Sequence, residues 1–517
     1  METPQDPADG AAKGGRFVSR RRLLIGGAAV AGGAVLVRSS VRERPGRVVI
    51  PAAPPLRIDH VTVVDPRDGS RREDRSVVVG GGRITEVTDT AGGASGEGVR
   101  RVDGAGRFVV PGYNNMHSHA LGAERPALVL AAMLAEGVTG FRQMSGSPEM
   151  LEDRADGRLP LGVHAPALLG MPGDLLMPFN AGSAEEAEEE VARQKEQGAD
   201  FIKLILVERP VFFAAMEAAK ARGLKVAGHL PPSISPLEAA RAGFGSIEHF
   251  GAGDNLWIAC SANFAALQAR ADTGLPVPSF VVDMPFAEDV FMSRMEKRLI
   301  NPSAYTEPEA AALLRDALDS YDEARCRELA RAFKAYGTWQ VPTLVRLRTQ
   351  ELADAPEYET DPWLAHMSDA AVADWREATA RFRSLPAATR ETFRRAYDLR
   401  LRVVALWHEE GVPMLTGTDG QGKVPGQTMR QEFGELAKAG LSPLAILRMS
   451  TAAAAEYLGR ADRMGLVAPG MEANFLLLDA DPVRDVGNLT CVSAVVRAGH
   501  FLPLQELQAV MSQVGKG

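Results

Sequence analysis

Phe108-Val109-Val110-Pro111-Gly112-Tyr113-Asn114-Asn115-Met116-His117-Ser118-His119 is the stretch from which the fold can be read. An apolar run and a Pro-Gly break lead into two histidines separated by one residue, which places both at or near a strand end. Side chains two apart on a strand share a face, so His117 and His119 can turn their imidazoles to one ion. Alone the pair proves little.

Further along, Lys203 interrupts the apolar run Phe201-Ile202-Lys203-Leu204-Ile205-Leu206, which reads as a buried parallel strand. An ammonium there is either paired and snorkelling or depressed in pKa and reactive. His229 closes Lys225-Val226-Ala227-Gly228-His229, His249 closes Ser246-Ile247-Glu248-His249, and Asp419 closes Pro413-Met414-Leu415-Thr416-Gly417-Thr418-Asp419. Any one of these could be a core histidine or a helix-capping aspartate. Repetition at successive strand ends makes coincidence a poor account of them.

Strand-like runs begin near Asn115, Val138, Leu161, Phe201, Lys225, Ser246, Trp339 and Pro413, alternating with amphipathic helical segments. That alternation favours a parallel sheet, and eight strands suffice for an α/β, TIM-like (β/α)8 barrel whose site lies at the C-terminal strand ends. About 170 residues separate His249 from Asp419, so a long helical insertion is expected between barrel strands 6 and 8, roughly over 251–410. Such an insertion is either a lid or substrate wall, or an elaborated surface or oligomer contact. Its aromatics Trp257, Phe264, Phe280, Phe286 and Phe291 read as local core.

Short β-like runs flank the barrel. Arg57–Val64, Ser76–Val79 and Arg83–Val87 precede it, with Gly80-Gly81-Gly82 as a turn, and Asn474–Asp479 and Ala494–His500 follow it. They predict a small β-sandwich domain built from both chain ends, its N-terminal portion over 48–110 and its C-terminal portion over 461–517 with a C-terminal tail. The barrel then takes 111–460.

The segments PGYNNMHSH, DFIKL, KVAGHLP, SIEHF and LTGTDG together resemble the amidohydrolase superfamily, over about Leu56 to Leu502. Within it they are similar to the binuclear branch with a bridging carboxylated lysine, which includes imidazolonepropionase-like and prolidase-like hydrolases. Asn115 stands where the family usually has aspartate, and Pro469–Asn474 departs from its PGxxAD pattern. The resemblance implies two divalent ions, zinc first, with manganese or cobalt also compatible with imidazole and carboxylate ligands. His117 and His119 would bind the more buried ion, His229 and His249 the more exposed one, and carboxylated Lys203 would bridge them. Asp419 would bind the buried ion and act as base for a metal-bridging hydroxide. Tyr113, Arg142, His164, Arg346 and Gln421 stand near predicted strand ends and are substrate-binding candidates. His60, His366, His408 and His500 do not.

Residues 1–47 carry nine Lys/Arg against four Asp/Glu, a net of +5 that leaves −13 for the rest of a chain totalling −8. So acidic a body repels phosphate backbones, which excludes nucleic acid and leaves a small-molecule substrate. Ser19-Arg20-Arg21-Arg22-Leu23-Leu24 before a short apolar stretch reads as a twin-arginine export signal, with a general secretory signal as the alternative. Its partner is export machinery and its destination periplasmic or extracellular, membrane-anchored if uncleaved. Cys260, Cys326 and Cys491 are too few and too far apart for a disulfide framework, and read as buried, inert thiols.

The expected activity is hydrolysis of an amide or peptide-like C–N bond. A lactonase or phosphotriesterase-like hydrolase would use the same site, and a catalytically silent envelope binding protein is the reading from another class. A homo-oligomer is compatible with each of them.

Overall fold

The computed structural model describes residues 46–90, 98–271, 298–420 and 422–515. The expected export signal lies outside them, as do Phe280, Phe286, Phe291 and Gln421.

Strands β1 (Leu56–Val64), β2 (Arg71–Gly80) and β3 (Arg83–Asp89) form an antiparallel meander, and β4 (Arg100–Asp103) and β5 (Phe108–Pro111) pair with β1 in parallel. Gly81 and Gly82 have φ of 58° and 73°, the left-handed pair that a two-residue hairpin between β2 and β3 requires. Parallel strands follow in two groups. β6 (Tyr113–Ser118), β7 (Val138–Gln143) and β8 (Ala167–Gly170) make one sheet. β9 (Phe201–Leu204), β10 (Lys225–Gly228), β11 (Ser246–Glu248) and β12 (Trp339–Val341) make the other. Finally β13 (Phe475–Leu478), β14 (Val492–Arg497) and β15 (His500–Pro503) join β5, so one eight-stranded sheet combines strands from both ends of the chain.

The parallel strands are buried almost throughout, as strands covered on both faces must be. Helices Pro126–Ala135, Ala184–Glu196, Arg209–Ala221 and Pro236–Arg241 cover them, and Val191, Phe212, Ala215 and Ala239 belong to the same apolar core as Ile202 and Val226. The α/β alternation is therefore present, but among the described residues the regular strands do not close into one eight-stranded ring.

Two expected strands differ from their sequence reading. The third begins at Ala167 rather than Leu161, because Pro160, Gly162 and Pro166 turn the intervening apolar run. The eighth, from Pro413, is no regular strand, yet its backbone is tied on both sides. Leu415 N–H donates to Gln340 O at 2.9 Å, Met116 N–H to Thr416 O at 2.8 Å and Asp419 N–H to His117 O at 2.8 Å. Glycine at 417 makes that approach feasible, since a Cβ there would stand 2.7 Å from the Cβ of His117.

Between β11 and the Pro413 segment the described residues are mostly helical. Asn255–Ala259, Phe264–Ala271, Pro308–Asp319 and Glu323–Tyr336 precede β12, and Leu344–Glu351, Asp369–Ser384 and Ala387–Glu410 follow it. Cys260 and Cys326 are buried, but Cys491 is exposed, where it follows a short 3-10 turn with its thiol toward Gly487 O at 3.5 Å.

Candidate metal centre

His117 leaves the end of β6, His249 follows β11, and Asp419 ends the Pro413 segment that runs beside β6. Their ligand atoms lie within 4.8 Å of one another, and all three residues are buried. His119 joins them, its Nε2 3.0 Å from Asp419 Oδ1, the same distance as His117 Nε2. His249 Nε2 is 3.9 Å from that oxygen. His249 and Asp419 have φ of 51° and 56°, and Thr343, beyond β12, has 47°. Left-handed backbone costs such residues about 1–2 kcal/mol each, and its concentration at three strand ends marks a site that the rest of the fold holds in place.

The outer ring nitrogens determine what the inner ones can do. His117 Nδ1 stands 2.6 Å from Glu248 Oε2. Burial works against Glu248's charge, but Arg142, His117 and Lys203 overcome it and hold the carboxyl near 2. An ionised carboxylate only accepts, so Nδ1 carries a proton and Nε2 is the ring atom left to face an ion. That Nε2 is buried with no hydrogen-bond partner, since it approaches Asp419 off the hydrogen-bond line. Thr343 Oγ1 donates its one proton to Pro342 O at 2.7 Å, so it accepts from His249 Nδ1–H and frees that Nε2 as well. His119 Nδ1 lies 2.8 Å from the Ser145 hydroxyl.

Imidazole lone pairs thus face a carboxylate oxygen at close range, an arrangement that repels itself unless a cation stands among them. Outer nitrogens tied to a carboxylate and a hydroxyl are the support that metal-binding histidines use. The donor set fits a divalent ion. Burial lowers the pKa of His119, His229 and His249, keeping them neutral, as ligation requires.

His229 reaches this group through His249, with ring centroids 5.4 Å apart. His249 in turn stands with His117 and Asp419, ligand atoms within 4.8 Å of one another. Lys203 is 1% exposed and its Nζ has no hydrogen-bond partner. Burial pulls its pKa down to about 8, against the opposing pull of Glu248 and Asp419.

Among the substrate candidates, Arg346 enters the site, its Nε 3.1 Å from Asp419 Oδ2. Arg142 lies beneath it, donating to Glu248 Oε1 at 2.8 Å, Tyr457 Oη at 2.7 Å and Met116 O at 2.7 Å. Its role is to anchor Glu248, not to face substrate. Arg142→Ala would leave Glu248 buried without its cation, and a loss of about 3–5 kcal/mol is expected in denaturant unfolding.

Tyr113 and His164, expected near strand ends that carry ligands, instead stand at the N-terminal side of a strand, away from those ends. Tyr113 opens β6 and spends its hydroxyl on Leu489 O at 2.7 Å. His164 precedes β8 and contacts Glu506 Oε1 at 3.2 Å, so His164→Ala should leave kcat/KM within about twofold of wild type in steady-state assays. Glu248, Ser145 and Thr343 went unrecognised as partners of the ligands. Only Glu248 had a signal, as the polar residue of a buried strand directly before His249.

Residues 398–502 match the model of the Amidohydrolase family. No curated protein matches the chain by sequence. Among solved structures, the bottromycin amidohydrolase is 23% identical with a TM-score of 0.61, covering 89% of each chain. A prolidase complexed with N-methylphosphonate-L-proline is 19% identical with a TM-score of 0.56, over 87% of this chain and 99% of the other. A Xaa-Pro dipeptidase with methionine bound in its active site is 17% identical with a TM-score of 0.54, over 87% and 100%. At these identities the likeness is one of fold.

Proposed function

We propose that this chain, a hydrolase of the amidohydrolase superfamily, is an exported metal-dependent enzyme that cleaves an amide or peptide-like C–N bond in a small molecule. The observation that carries the reading is the convergence of the His117 and His249 Nε2 atoms on Asp419, with each Nδ1 already committed elsewhere. In this reading the two parallel sheets and the Pro413–Asp419 segment together make a (β/α)8 barrel. The sheet shared by both termini is its accessory β-sandwich domain, and the signal over residues 1–47 directs the folded protein across the membrane. No helix among the described residues is long and apolar enough to span one.

His117, His119 and Asp419 would hold one divalent ion, zinc first, and His229 and His249 a second, with Lys203 between them as a carbamate. Such ions, when bound, lower the pKa of water held at the site and polarise a carbonyl. Asp419 takes the proton from the attacking water and returns it to the leaving nitrogen. Arg346 holds the carboxylate's other oxygen and keeps it ionised, so Asp419 passes a proton on readily and stores it poorly. His119, His229 and His249 stay neutral because charging them means desolvating a cation.

Elemental analysis of the purified protein, paired with turnover of dipeptides, N-acyl amino acids, lactones and organophosphates, tests this. Metal bound at about two per chain with amide turnover is expected. Ester or phosphotriester turnover without amide turnover would reassign the bond, and protein that takes up no metal and turns over nothing would leave a binding protein.

A further inference from the structure

We propose that Glu432 is a positioning residue for the metal centre, acting on two ligands at once through the first turn of the helix Leu344–Glu351. The inference rests on the reading that His249 and Asp419 hold an ion.

Glu432 is fully buried on the helix Met429–Lys438. Its Oε1 accepts from Leu344 N–H at 3.1 Å and its Oε2 from Val345 N–H at 2.9 Å. Those are first-turn donors that no helix satisfies internally. A buried carboxylate is nonetheless a costly way to cap a helix, when a serine or asparagine at the N-cap would serve. What it secures is the placement of that turn.

The turn begins at Thr343, in the left-handed region at φ 47°, ψ 51°, with no side-chain cap of its own. A β-branched residue resists that conformation, so the clamp on the next two N–H groups is what keeps it there. Thr343 fixes the proton of His249 on Nδ1. Three residues on, Arg346 places its Nε against Asp419 Oδ2 and gives further donors to Leu299 O and Ile300 O. One carboxylate thus sets the tautomer of a histidine from one strand end and the orientation of an aspartate from another. In either protonation state both of its oxygens accept, whereas glutamine offers one acceptor and turns an N–H toward an N–H.

The test uses the full-length protein loaded with cobalt(II), read by its visible absorption band and by competition with a chelator. Glu435→Gln is the control, removing a buried acid of the same helix that bonds Tyr397 and Lys438 and pairs with Arg348 in the second turn of Leu344–Glu351, but touches neither first-turn N–H group nor Thr343 or Arg346. Glu432→Gln is expected to weaken cobalt binding about 10- to 100-fold, the usual range for groups that orient ligands, and to shift the band. Glu435→Gln should do neither. Wild-type affinity and spectrum in Glu432→Gln would overturn the proposal. Should that variant fail to fold, Thr343→Val against Thr343→Ser decides: loss in the valine variant with recovery in serine supports it, and equal affinity in both sinks it. Wild-type protein that binds no cobalt would instead remove the metal reading itself.

Discussion

Asp419→Asn is expected to lower kcat by about 10²- to 10⁴-fold, the range that a positioned acid–base group contributes, while much of the metal stays bound. Asparagine keeps an oxygen toward His117 and His119, so the imidazoles and their partners Glu248, Thr343 and Ser145 still present a ligand set. It cannot take a proton, and it gives Arg346 a neutral neighbour in place of a carboxylate 3.1 Å away. Steady-state kinetics on the best amide substrate, with elemental analysis of the same preparation, separates the two effects. Turnover near wild type would remove Asp419 from the proton-transfer role, and loss of metal in parallel with rate would make it chiefly a ligand.

The candidate ligands were legible in the sequence because each sits at the end of a short apolar strand, and that pattern survives without tertiary information. His117, His249 and Asp419 follow it, and the fold brings their ligand atoms within 4.8 Å of one another. Position along a strand was less legible than presence on one. Tyr113 and His164 look like strand-end residues in the sequence when they precede or open their strands, and in a parallel sheet that is the wrong end. The slip at His164 has a local cause, since Leu159–Pro166 is apolar enough to resemble a strand while its two prolines and glycine prevent one.

The supporting groups were illegible for another reason. Thr343 and Ser145 bond ligands 94 and 26 residues away, and Glu432 lies 88 residues from the turn it clamps. Nothing about a lone threonine or glutamate announces such a partner. Asn115 shows the same limit at closer quarters. As a departure from the family's aspartate it looked incidental, yet its amide donates to Thr418 Oγ1 at 2.9 Å and its oxygen accepts from the backbone N–H of His117 and of Thr418, each at 3.2 Å. Both functions of the amide are used, and they stitch the strand carrying the histidines to the segment carrying Asp419.

Lys203→Ala is expected to lower bound metal and turnover together, by at least about 10²-fold in rate, with partial recovery when short carboxylic acids are supplied. The reasoning starts from a lysine in a buried strand whose Nζ has no hydrogen-bond partner. An ammonium left so would be a standing cost, and burial answers it by bringing the pKa to about 8. The neutral share of the side chain then grows as pH rises through about 8. Only the neutral amine attacks carbon dioxide, forming an N–C bond and releasing one proton as the carbamate appears. Reconstitution of metal-free protein should therefore speed up with added bicarbonate and as pH rises through about 8. A short carboxylate diffusing into the space left by Lys203→Ala offers the same pair of oxygens without the tether, which is why rescue distinguishes a lost bridge from a damaged core. A variant that retains two metals and full rate would dismiss the bridge. One that loses both and responds neither to bicarbonate in the wild type nor to carboxylic acid in the mutant would make Lys203 a structural amine.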